Sequence, residues 1–318
     1  MQYRHLGSSG LRVSAVAFGT WLTAGNTLDL AATQRLVASA AELGINFFDT
    51  ADVYARGAAE EALGAALKGR PRHTLVVATK CFFPMSDDPN DKGLSRKHVV
   101  ESLHGSLRRL GLDYVDLFQC HRSDPDTPLE ETCRAMDDLI RQGKTLYWGV
   151  SLWSAEQIER AVQLCRAEGW APPISNQPCY NLLDRGIEAA VMPRAAALGV
   201  GQIVYSPLAQ GVLSGKYRRG AAPPPGSRAT DERANRFIGR YLGDPGAVDR
   251  TERFVRLAAE LGLAPSRIAL AFCLRRPEVA SVIVGATSAA QLEENAAAAA
   301  LALDAATLRA LDEIFPAP

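Results

Sequence analysis

Short apolar runs alternate with long helix-forming segments along the whole chain, and this alternation restricts the possible folds more than any other feature. Most of the runs are rich in β-branched and aromatic residues and are apolar throughout, which is typical of parallel strands covered on both faces. The predicted strands are 13–19, 46–50, 74–80, 114–120, 145–151, 173–177, 201–206 and 281–285. The predicted helices are 29–43, 58–68, 96–110, 129–142, 154–168, 186–198, 249–261 and 288–300.

Eight strands, each followed by a helix, predict an α/β fold of the closed (β/α)8 TIM-barrel type. The chain has 318 residues, and such a barrel needs about 250 residues plus insertions. An open doubly wound sheet is the alternative. That fold usually carries a glycine-rich turn after its first strand, whereas the turn here reads GTWLTAGN. Because no linker, repeat or charge block divides the chain, we expect a single domain over residues 1–318.

Two stretches depart from the alternation. Residues 2–12 have the turn chemistry of a short hairpin, which we expect to plug the N-terminal end of the barrel. Residues 209–248 form a loop far longer than an ordinary strand-to-helix connection. Such a loop lies at the C-terminal mouth of a barrel, where it either covers a ligand or is a disordered insertion.

Charge and composition exclude several classes of protein. Lys plus Arg and Asp plus Glu number 35 each, so the chain lacks the excess positive charge that favours nucleic acid or anionic membranes. No apolar run approaches the ~18 residues of a membrane span, and the first residues lack the apolar segment of a signal peptide. The six cysteines include no CxxC pair. We therefore expect a cytoplasmic protein with reduced thiols, no membrane insertion and no nucleic-acid partner.

Four ionisable residues lie where three adjacent predicted strands end. Asp49 ends the second strand and Tyr54 follows it, whereas Lys80 ends the third strand and His121 ends the fourth. Each of these residues alone has an ordinary structural explanation. Their convergence on one rim favours chemistry, because a buried lysine needs a carboxylate partner.

These residue types suit the protonation of an oxygen atom while hydride reaches the attached carbon. A tyrosine has a pKa of about 10. We expect the Lys80 ammonium to lower the pKa of Tyr54 toward about 7, and each pKa unit of this shift corresponds to about 1.36 kcal/mol of interaction energy. Asp49 would keep Lys80 charged and oriented. His121 would donate a hydrogen bond to a substrate carbonyl.

Other candidate groups near these residues are expected to be structural. Cys81 and Cys120 adjoin the proposed catalytic residues, but alternation along a strand turns them away from the mouth. His98 and His104 are spaced unsuitably for a shared metal site. We therefore predict no metal centre and no cysteine nucleophile.

At these residues the sequence resembles the aldo-keto reductase superfamily over nearly the whole chain. The resemblance rests on ordered segments that include GLRVSAVAFGTW, FFDTADVYARGAAEEALGAAL, VVATK, YVDLFQCHR, GVSLWS, NQPCYN, YSPLAQGVLSGKY and VGATSAAQLEEN. SGKY and GATSAAQLEEN are similar to the branch that contains bacterial reductases and potassium-channel β subunits. The family's catalytic tetrad maps onto Asp49, Tyr54, Lys80 and His121. The channel subunits have Asn where His121 stands, so the resemblance implies a working reductase.

The resemblance also implies NADPH/NADP+ as cofactor, bound in extended form across the barrel mouth. Ser151 and Gln177 would hold the nicotinamide carboxamide and Tyr205 would stack on its ring, although a tyrosine there is also compatible with core packing. Glu294 and Asn295 would bind the adenine. The full cofactor set comprises Thr20, Trp21, Asp49, Ser151, Gln177, Tyr205, Ser206, Leu208, Gly211, Lys216, Arg228, Gly285, Thr287, Gln291, Glu294 and Asn295.

The sequence departs from the family pattern in two places. Leu152 stands where the family usually has Asn or Arg. Gly285 and Gln291 replace a Lys and an Arg that many members use near the last helix. The resemblance moves the basic contacts to the adenosine 2′-phosphate onto Lys216 and Arg228, which are otherwise solvated loop charges.

The leading interpretation is an NADPH-dependent reductase of aldehydes, with ketones as a further class of substrate. One alternative is a lyase that forms a Schiff base on Lys80. The other is an NADPH-binding regulatory or redox-sensing subunit like the channel β subunits. The substrate pocket is predicted to contain Trp21, Tyr54, Phe82, His121 and Trp153. The sequence does not specify which small-molecule carbonyl enters this pocket, and it leaves a homo-oligomer open.

Overall fold

The parallel strands of the chain close into a barrel, as predicted. The computed structural model describes residues 1–232 and 234–317. Within this part of the chain the barrel strands are β3 (Val16–Gly19), β4 (Phe47–Asp49), β5 (Val76–Cys81), β6 (Val115–Cys120), β7 (Thr145–Val150), β8 (Ser175–Asn176), β9 (Gly201–Val204) and β10 (Val279–Val284). Each pairs in parallel with its neighbour in sequence, and β10 pairs with both β9 and β3 to complete the ring. The fold is a (β/α)8 barrel.

Helices surround this barrel. They are α1 (Leu30–Glu42), α2 (Ala58–Leu67), α3 (Arg96–Leu110), α4 (Leu129–Arg141), α5 (Ala155–Glu168), α6 (Val191–Ala197), α7 (Gly239–Leu242), α8 (Pro245–Glu260), α9 (Pro265–Leu274), α10 (Ala289–Ala297) and α11 (Ala305–Ile314). Several begin where the sequence offers a capping side chain: Ser95, Ser154 and Ser288 accept hydrogen bonds from the backbone of α3, α5 and α10. A side-chain cap stabilises a helix by about 1 kcal/mol.

Side-chain alternation along the strands separates two apolar layers. Phe47, Ala78, Leu117 and Ile203 point into the barrel and form one buried cluster, whereas the next residues along each strand pack outward against the helices. On or just after each of these strands the residue two positions further along also faces inward, and it is polar. The sequence thus fills the lower barrel with apolar groups and reserves its C-terminal end for polar ones.

The N-terminal hairpin closes the bottom of the barrel, as expected. Strands β1 (Tyr3–His5) and β2 (Arg12–Ser14) pair antiparallel. Leu6, at the turn, is fully buried and belongs to the inward apolar cluster. The Ser8 amide donates to Gly199 O at 2.9 Å, which ties the turn to the barrel rim.

A long connection follows β9 at the opposite end. It contains short 3₁₀ turns at Ala209–Ser214, Arg228–Thr230 and Asn235–Phe237, followed by α7. The Phe237 ring lies 5.0 Å from the Trp21 ring, so the connection reaches across the mouth to the segment after β3. Arg233, inside the predicted 209–248 loop, and Pro318, at the end of the predicted domain, lie outside the described residues.

Three predicted boundaries are wrong. The first predicted strand, 13–19, is divided at Ala15, because residues up to Ser14 pair in the hairpin and only β3 enters the barrel. The helix predicted at 186–198 is confined to α6, since Pro193 is tolerated only in a first turn. The helix predicted at 249–261 begins earlier, at Pro245, where the Asp244 side chain caps it.

Three helices, α7, α9 and α11, were not predicted, and α7 lies within the predicted 209–248 loop. All but two residues of α9 are buried, and a helix buried on all sides shows no amphipathic period. No single helix among the described residues is long and apolar enough to span a membrane. α8 and α9 pass that test only as a pair, which is bent by 100° at its break.

Gly64 allows α2 and α3 to approach closely, and this yields a testable prediction. A Cβ at Gly64 would lie 2.3 Å from the backbone oxygen of Leu110. We therefore expect Gly64→Ala to reduce the free energy of unfolding by about 1–3 kcal/mol, the usual cost of overpacking. Denaturant unfolding would measure this change.

Gly239→Ala is the matched control, since Gly239 also lies within a helix, α7. There the added Cβ would meet no atom of the described residues within 4 Å. This variant should match the wild type or gain up to about 1 kcal/mol from helix propensity. Equal stability of the two variants would contradict the close approach of α2 to α3.

Candidate active site

The structure brings together the four residues predicted from the strand ends. Asp49 is the last residue of β4, Lys80 lies near the end of β5, and His121 directly follows β6. Tyr54 begins a 3₁₀ turn, Tyr54–Gly57, after β4. Because parallel strands end on the same side of the barrel, all four side chains meet at the mouth.

Lys80 is the centre of this group. Its fully buried Nζ donates to Asp49 Oδ1 at 2.6 Å, to Thr50 O at 2.7 Å and to Tyr54 OH at 3.3 Å. Burial alone would lower the pKa of Lys80, but the Asp49 carboxylate and Tyr54 together more than offset it, so the pKa is raised. Lys80 is therefore an ammonium ion at neutral pH.

Tyr54 has a different pKa from the one that the sequence suggested. Burial raises its pKa above 10.0, and the opposing effect of the Lys80 charge is too small to reverse this. The expected shift toward 7 is thus wrong, because burial disfavours a phenolate more than one ammonium favours it. Tyr54 is a neutral phenol at neutral pH and holds a proton that it can donate.

His121 lies beside Tyr54 and is uncharged. Their ring centroids are 5.7 Å apart in an edge-on arrangement. Burial, followed by the charges of Lys80 and Arg122, holds the pKa of His121 well below 6.5. Its Nδ1 is buried and has no hydrogen-bond partner among the described residues, so the imidazole keeps a free polar atom in the site.

The second carboxylate oxygen of Asp49, Oδ2, accepts hydrogen bonds from two glutamine side chains, and Ser151 supports one of them. Gln177 Nε2 donates to Asp49 Oδ2 at 2.9 Å and Gln119 Nε2 at 3.4 Å, while Ser151 Oγ donates to Gln177 O at 2.8 Å. Two predicted cofactor positions therefore adjoin the four candidate catalytic residues. Gln119 was not predicted from the sequence, although its place two residues before His121 puts it on the same face of β6.

Aromatic rings lie beside Tyr54 and His121 at the mouth. The Trp21 ring lies 6.3 Å from the Tyr54 ring. Trp153 is buried, and its indole N–H has no partner in the described chain. Phe83 lies against His121, with ring centroids 4.9 Å apart. Phe82 and Trp153, which were predicted for the substrate pocket, both pack with the outer apolar cluster, and the Phe82 ring lies 5.3 Å from the Phe83 ring.

Several predicted cofactor positions line the strand ends nearby. The Thr20 amide and hydroxyl both donate to Asp49 O, at 3.0 and 3.2 Å. Tyr205 directly follows β9, and burial raises its pKa to about 12. Ser206, Leu208 and Gly211 follow it in chain order and are partly accessible.

Two cations of the long connection lie near each other. Arg228 Nη1 donates to Gln210 Oε1 at 2.6 Å. The pKa of Lys216 is lowered by burial and by the charge of Arg228. Throughout residues 1–232 and 234–317, neither cation has a carboxylate within ion-pair distance, so both remain available to an anion.

The start of α10 contains the other predicted cofactor positions. The Thr287 amide and hydroxyl donate to Gln291 Oε1, and Ser288 caps the helix. Gly285 and Asn295 flank this turn, the first exposed and the second buried. The Glu294 carboxylate accepts a hydrogen bond from Ser266 of α9, so it is already engaged within the protein.

The family assignment agrees with this geometry. A model described as "Aldo/keto reductase family" matches residues 15–315. The chain belongs to the aldo/keto reductase family. It is 45% identical over 302 residues to a protein of Oryza sativa subsp. japonica named "Probable voltage-gated potassium channel subunit beta", covering 93% of this chain and 90% of that protein.

Two further relatives have similar names. A protein of Arabidopsis thaliana, "Probable voltage-gated potassium channel subunit beta", is 44% identical over 298 residues, covering 93% of this chain and 90% of its own length. A protein of Schizosaccharomyces pombe, "Putative voltage-gated potassium channel subunit beta", is 41% identical over 323 residues, covering 98% of this chain and 93% of its own.

The cysteines beside the site of this aldo/keto reductase point outward, as predicted. Cys81 and Cys120 are fully buried in the layer between strands and helices. Burial raises the pKa of both thiols, which disfavours the reactive thiolate. Within the described ranges, no group of three or more His, Cys, Asp or Glu side chains could hold a metal ion.

The turn that carries Tyr54 is strained and is clamped from behind. Ala55 and Arg56 have positive φ angles of 48° and 51°, a conformation that costs non-glycine residues about 1–3 kcal/mol each. The side chain of Arg109 packs on Gly57, and its Nε donates to the buried Glu60 at 2.7 Å. This long-range clamp fixes the turn, and no local pattern in the sequence indicates it.

Asp52 supports the same turn and generates a pH prediction. Its carboxylate accepts hydrogen bonds from Val53 N at 2.6 Å and from Ser102 Oγ at 2.8 Å. Burial raises its pKa from 3.8 to about 7, with a further contribution from Glu60. Because the folded state binds this proton more tightly than the unfolded chain, Asp52 makes stability fall as pH rises from about 4 to about 7.

Asp52→Asn should therefore be more stable than the wild type, and the difference should grow up to pH 7 and then level off. Because the pKa of Asp52 is shifted by about three units, the difference in free energy of unfolding should reach at most about 4 kcal/mol. Denaturant unfolding between pH 4 and 9 would measure it. Asp87→Asn, at an exposed position, should follow the wild type at every pH. A constant difference between Asp52→Asn and the wild type would contradict the titration.

Proposed function

We propose that this aldo/keto reductase is an NADPH-dependent enzyme that reduces aldehydes, and ketones as a further class, to alcohols. The observation that carries the proposal is the Lys80 ammonium, which donates to Asp49 Oδ1 at 2.6 Å and to Tyr54 OH at 3.3 Å. This arrangement places a protonated phenol beside a fixed positive charge at the barrel mouth. Such a pair suits proton donation to an oxygen that becomes negatively charged.

The chemistry divides between the cofactor and the protein. NADPH, when bound, supplies the hydride. Tyr54 donates its proton to the carbonyl oxygen, and Lys80 stabilises the phenolate that remains. At 3.3 Å and an effective dielectric constant of about 20, this attraction is about 5 kcal/mol. Asp49 holds Lys80 in place, and the neutral His121 donates a hydrogen bond that orients the carbonyl.

Lys216 and Arg228 support the choice of NADPH. The 2′-phosphate of this cofactor carries a charge of nearly two, which requires nearby cations. Among the described residues these two cations lack carboxylate partners, and Gly211 leaves the space beside Lys216 open: a Cβ there would be 3.5 Å from Lys216 Nζ. Both would hold the phosphate, Arg228 through paired hydrogen bonds and Lys216 as a compact charge.

A regulatory NADPH-binding subunit is the second candidate, and the names of the three relatives favour it. A complete Asp49, Tyr54, Lys80 and His121 set favours turnover instead. A Schiff-base lyase has less support, because the attacking lysine must be neutral and Asp49 stabilises the Lys80 ammonium. Purification with a stable protein partner and negligible turnover would favour the regulatory role.

Tyr54→Phe tests the proton donor. Removal of the hydroxyl should leave NADPH binding nearly unchanged and reduce kcat on an unactivated aldehyde by about 10²–10⁴-fold, the usual contribution of general acid catalysis. Stopped-flow measurement of NADPH oxidation would report the loss. Tyr114→Phe is the control, because Tyr114 packs under Arg72, away from the four catalytic residues. A Tyr54→Phe enzyme with near-normal kcat would overturn the assignment.

Arg228→Ala tests the cofactor preference. A charged hydrogen bond contributes about 1.5–3 kcal/mol, so the Kd for NADPH should rise about tenfold to a hundredfold. The Kd for NADH should scarcely change, because NADH lacks the 2′-phosphate. Calorimetric titration would measure both constants.

Arg219→Ala serves as control for the Arg228 experiment. Arg219 lies on the same connection, but its guanidinium pairs with Asp249 at 3.1 Å and is largely exposed. This variant should bind both cofactors like the wild type. An equal loss of NADPH and NADH binding in Arg228→Ala would mean that Arg228 supports the loop and leaves the phosphate unrecognised.

A further inference from the structure

We propose that Arg122 selects substrates that carry an oxoanion, a carboxylate or a phosphate, in addition to the carbonyl group. This inference rests on the proposed reductase function and names the class of substrate. Arg122 directly follows His121 at the end of β6 and was not among the residues predicted from the sequence. Its role follows from its location, its lack of an ionic partner and the neutrality of its neighbours.

The Arg122 guanidinium lies beside the aromatic residue that adjoins His121. It lies over the Phe83 ring, with Cζ 5.2 Å from the ring centroid, and Phe83 in turn contacts His121. Burial raises the pKa of Tyr54 and of Tyr205 and lowers that of His121; the Arg122 charge opposes the first two shifts and adds to the third. These three residues follow different strands around the mouth, so Arg122 lies near enough to the mouth for its charge to reach all of them.

Arg122 also keeps unused hydrogen-bonding capacity. Its Nη1 donates to its neighbour's backbone oxygen, His121 O, while a guanidinium has five N–H donors. The acidic side chain next in sequence, Asp124, is occupied by Leu94 N and by Thr127 Oγ1. Across residues 1–232 and 234–317, no carboxylate lies within ion-pair distance of Arg122.

Two other arginines near the site are paired. Arg240 donates to Asp184 at 2.7 Å, and Arg109 donates to Glu60 at 2.7 Å. Arg122 is therefore a half-buried charge beside neutral Tyr54 and neutral His121, with no anion of the described chain to balance it. A guanidinium fork matches the geometry of a carboxylate or a phosphate, and the partly desolvated setting strengthens that interaction.

The test compares aldehydes that differ in charge but have similar shape. The pairs are para-carboxybenzaldehyde with para-formylbenzamide, succinic semialdehyde with butanal, and glyceraldehyde phosphate with glyceraldehyde. For the wild type we expect kcat/KM to be at least tenfold higher for the anionic member of one or more pairs. The advantage should reside mainly in KM and should shrink as salt concentration rises.

Substitution of Arg122 then assigns the advantage to this residue. In Arg122→Met the ratio of anionic to neutral kcat/KM should fall about tenfold to a hundredfold, the usual range for one charge-assisted hydrogen bond. Arg122→Lys should retain part of the preference, because it keeps the charge and loses the fork. Arg253→Met is the control: it removes one exposed positive charge on α8, beside α11, and the ratio should stay at the wild-type value.

The outcomes separate this inference from the proposed function. Reduction of neutral aldehydes with no anionic preference, or a preference that survives in Arg122→Met, would overturn the role of Arg122 and leave the reductase standing. If NADPH reduces no aldehyde, the reductase proposal fails. Calorimetric titration of terephthalate and inorganic phosphate into the NADP+-loaded wild type and Arg122→Met then decides the matter, and equal binding or none would overturn the anion site. The pair that shows the preference identifies carboxylate or phosphate.

Discussion

The ion pair between Lys80 and Asp49 is the constraint on which the mouth of this barrel depends. A fully buried ammonium is costly unless its charge and its N–H groups are satisfied, and here the three acceptors come from residues 49, 50 and 54. The pair therefore holds the end of β4, the end of β5 and the start of the Tyr54 turn in fixed positions relative to one another. Loss of either partner would leave a buried charge, so the geometry of the candidate active site and local stability are coupled at this point.

The same site contains strain and a buried acid that a stability-optimised barrel would avoid. Two non-glycine residues with positive φ present the Tyr54 hydroxyl to Lys80, and Glu60 with Arg109 holds them from the outer side of the barrel. Asp52 keeps a raised pKa in the same region. Local stability is reduced here because the Tyr54 phenol must be held at one position. The packing of the surrounding helices offsets this loss.

Periodicity and strand ends predicted the parts of the molecule that follow local rules. The barrel, Asp49, Lys80 and His121 fall into this group, because the inward face of a parallel strand leads directly to the mouth. Packing from distant elements decided the rest. The pKa of Tyr54 depends on burial that no local pattern reveals. Phe83 lies beside His121 although it was not predicted for the substrate pocket, and α9 shows no helical period because it is buried on nearly every side.

Closure of the ring by β10 has a consequence for how the protein is made. β10 is the last barrel strand to be synthesised, yet it alone joins β9 to β3, and Ser281 Oγ donates to Ser14 O across 267 positions. Contacts so distant in sequence form slowly. Until β10 has left the ribosome, β3 and β9 are open sheet edges with unpaired backbone groups, which invite pairing with other chains. A nascent or truncated chain that ends before this strand is thus prone to aggregation, even though all four candidate catalytic residues have already been translated.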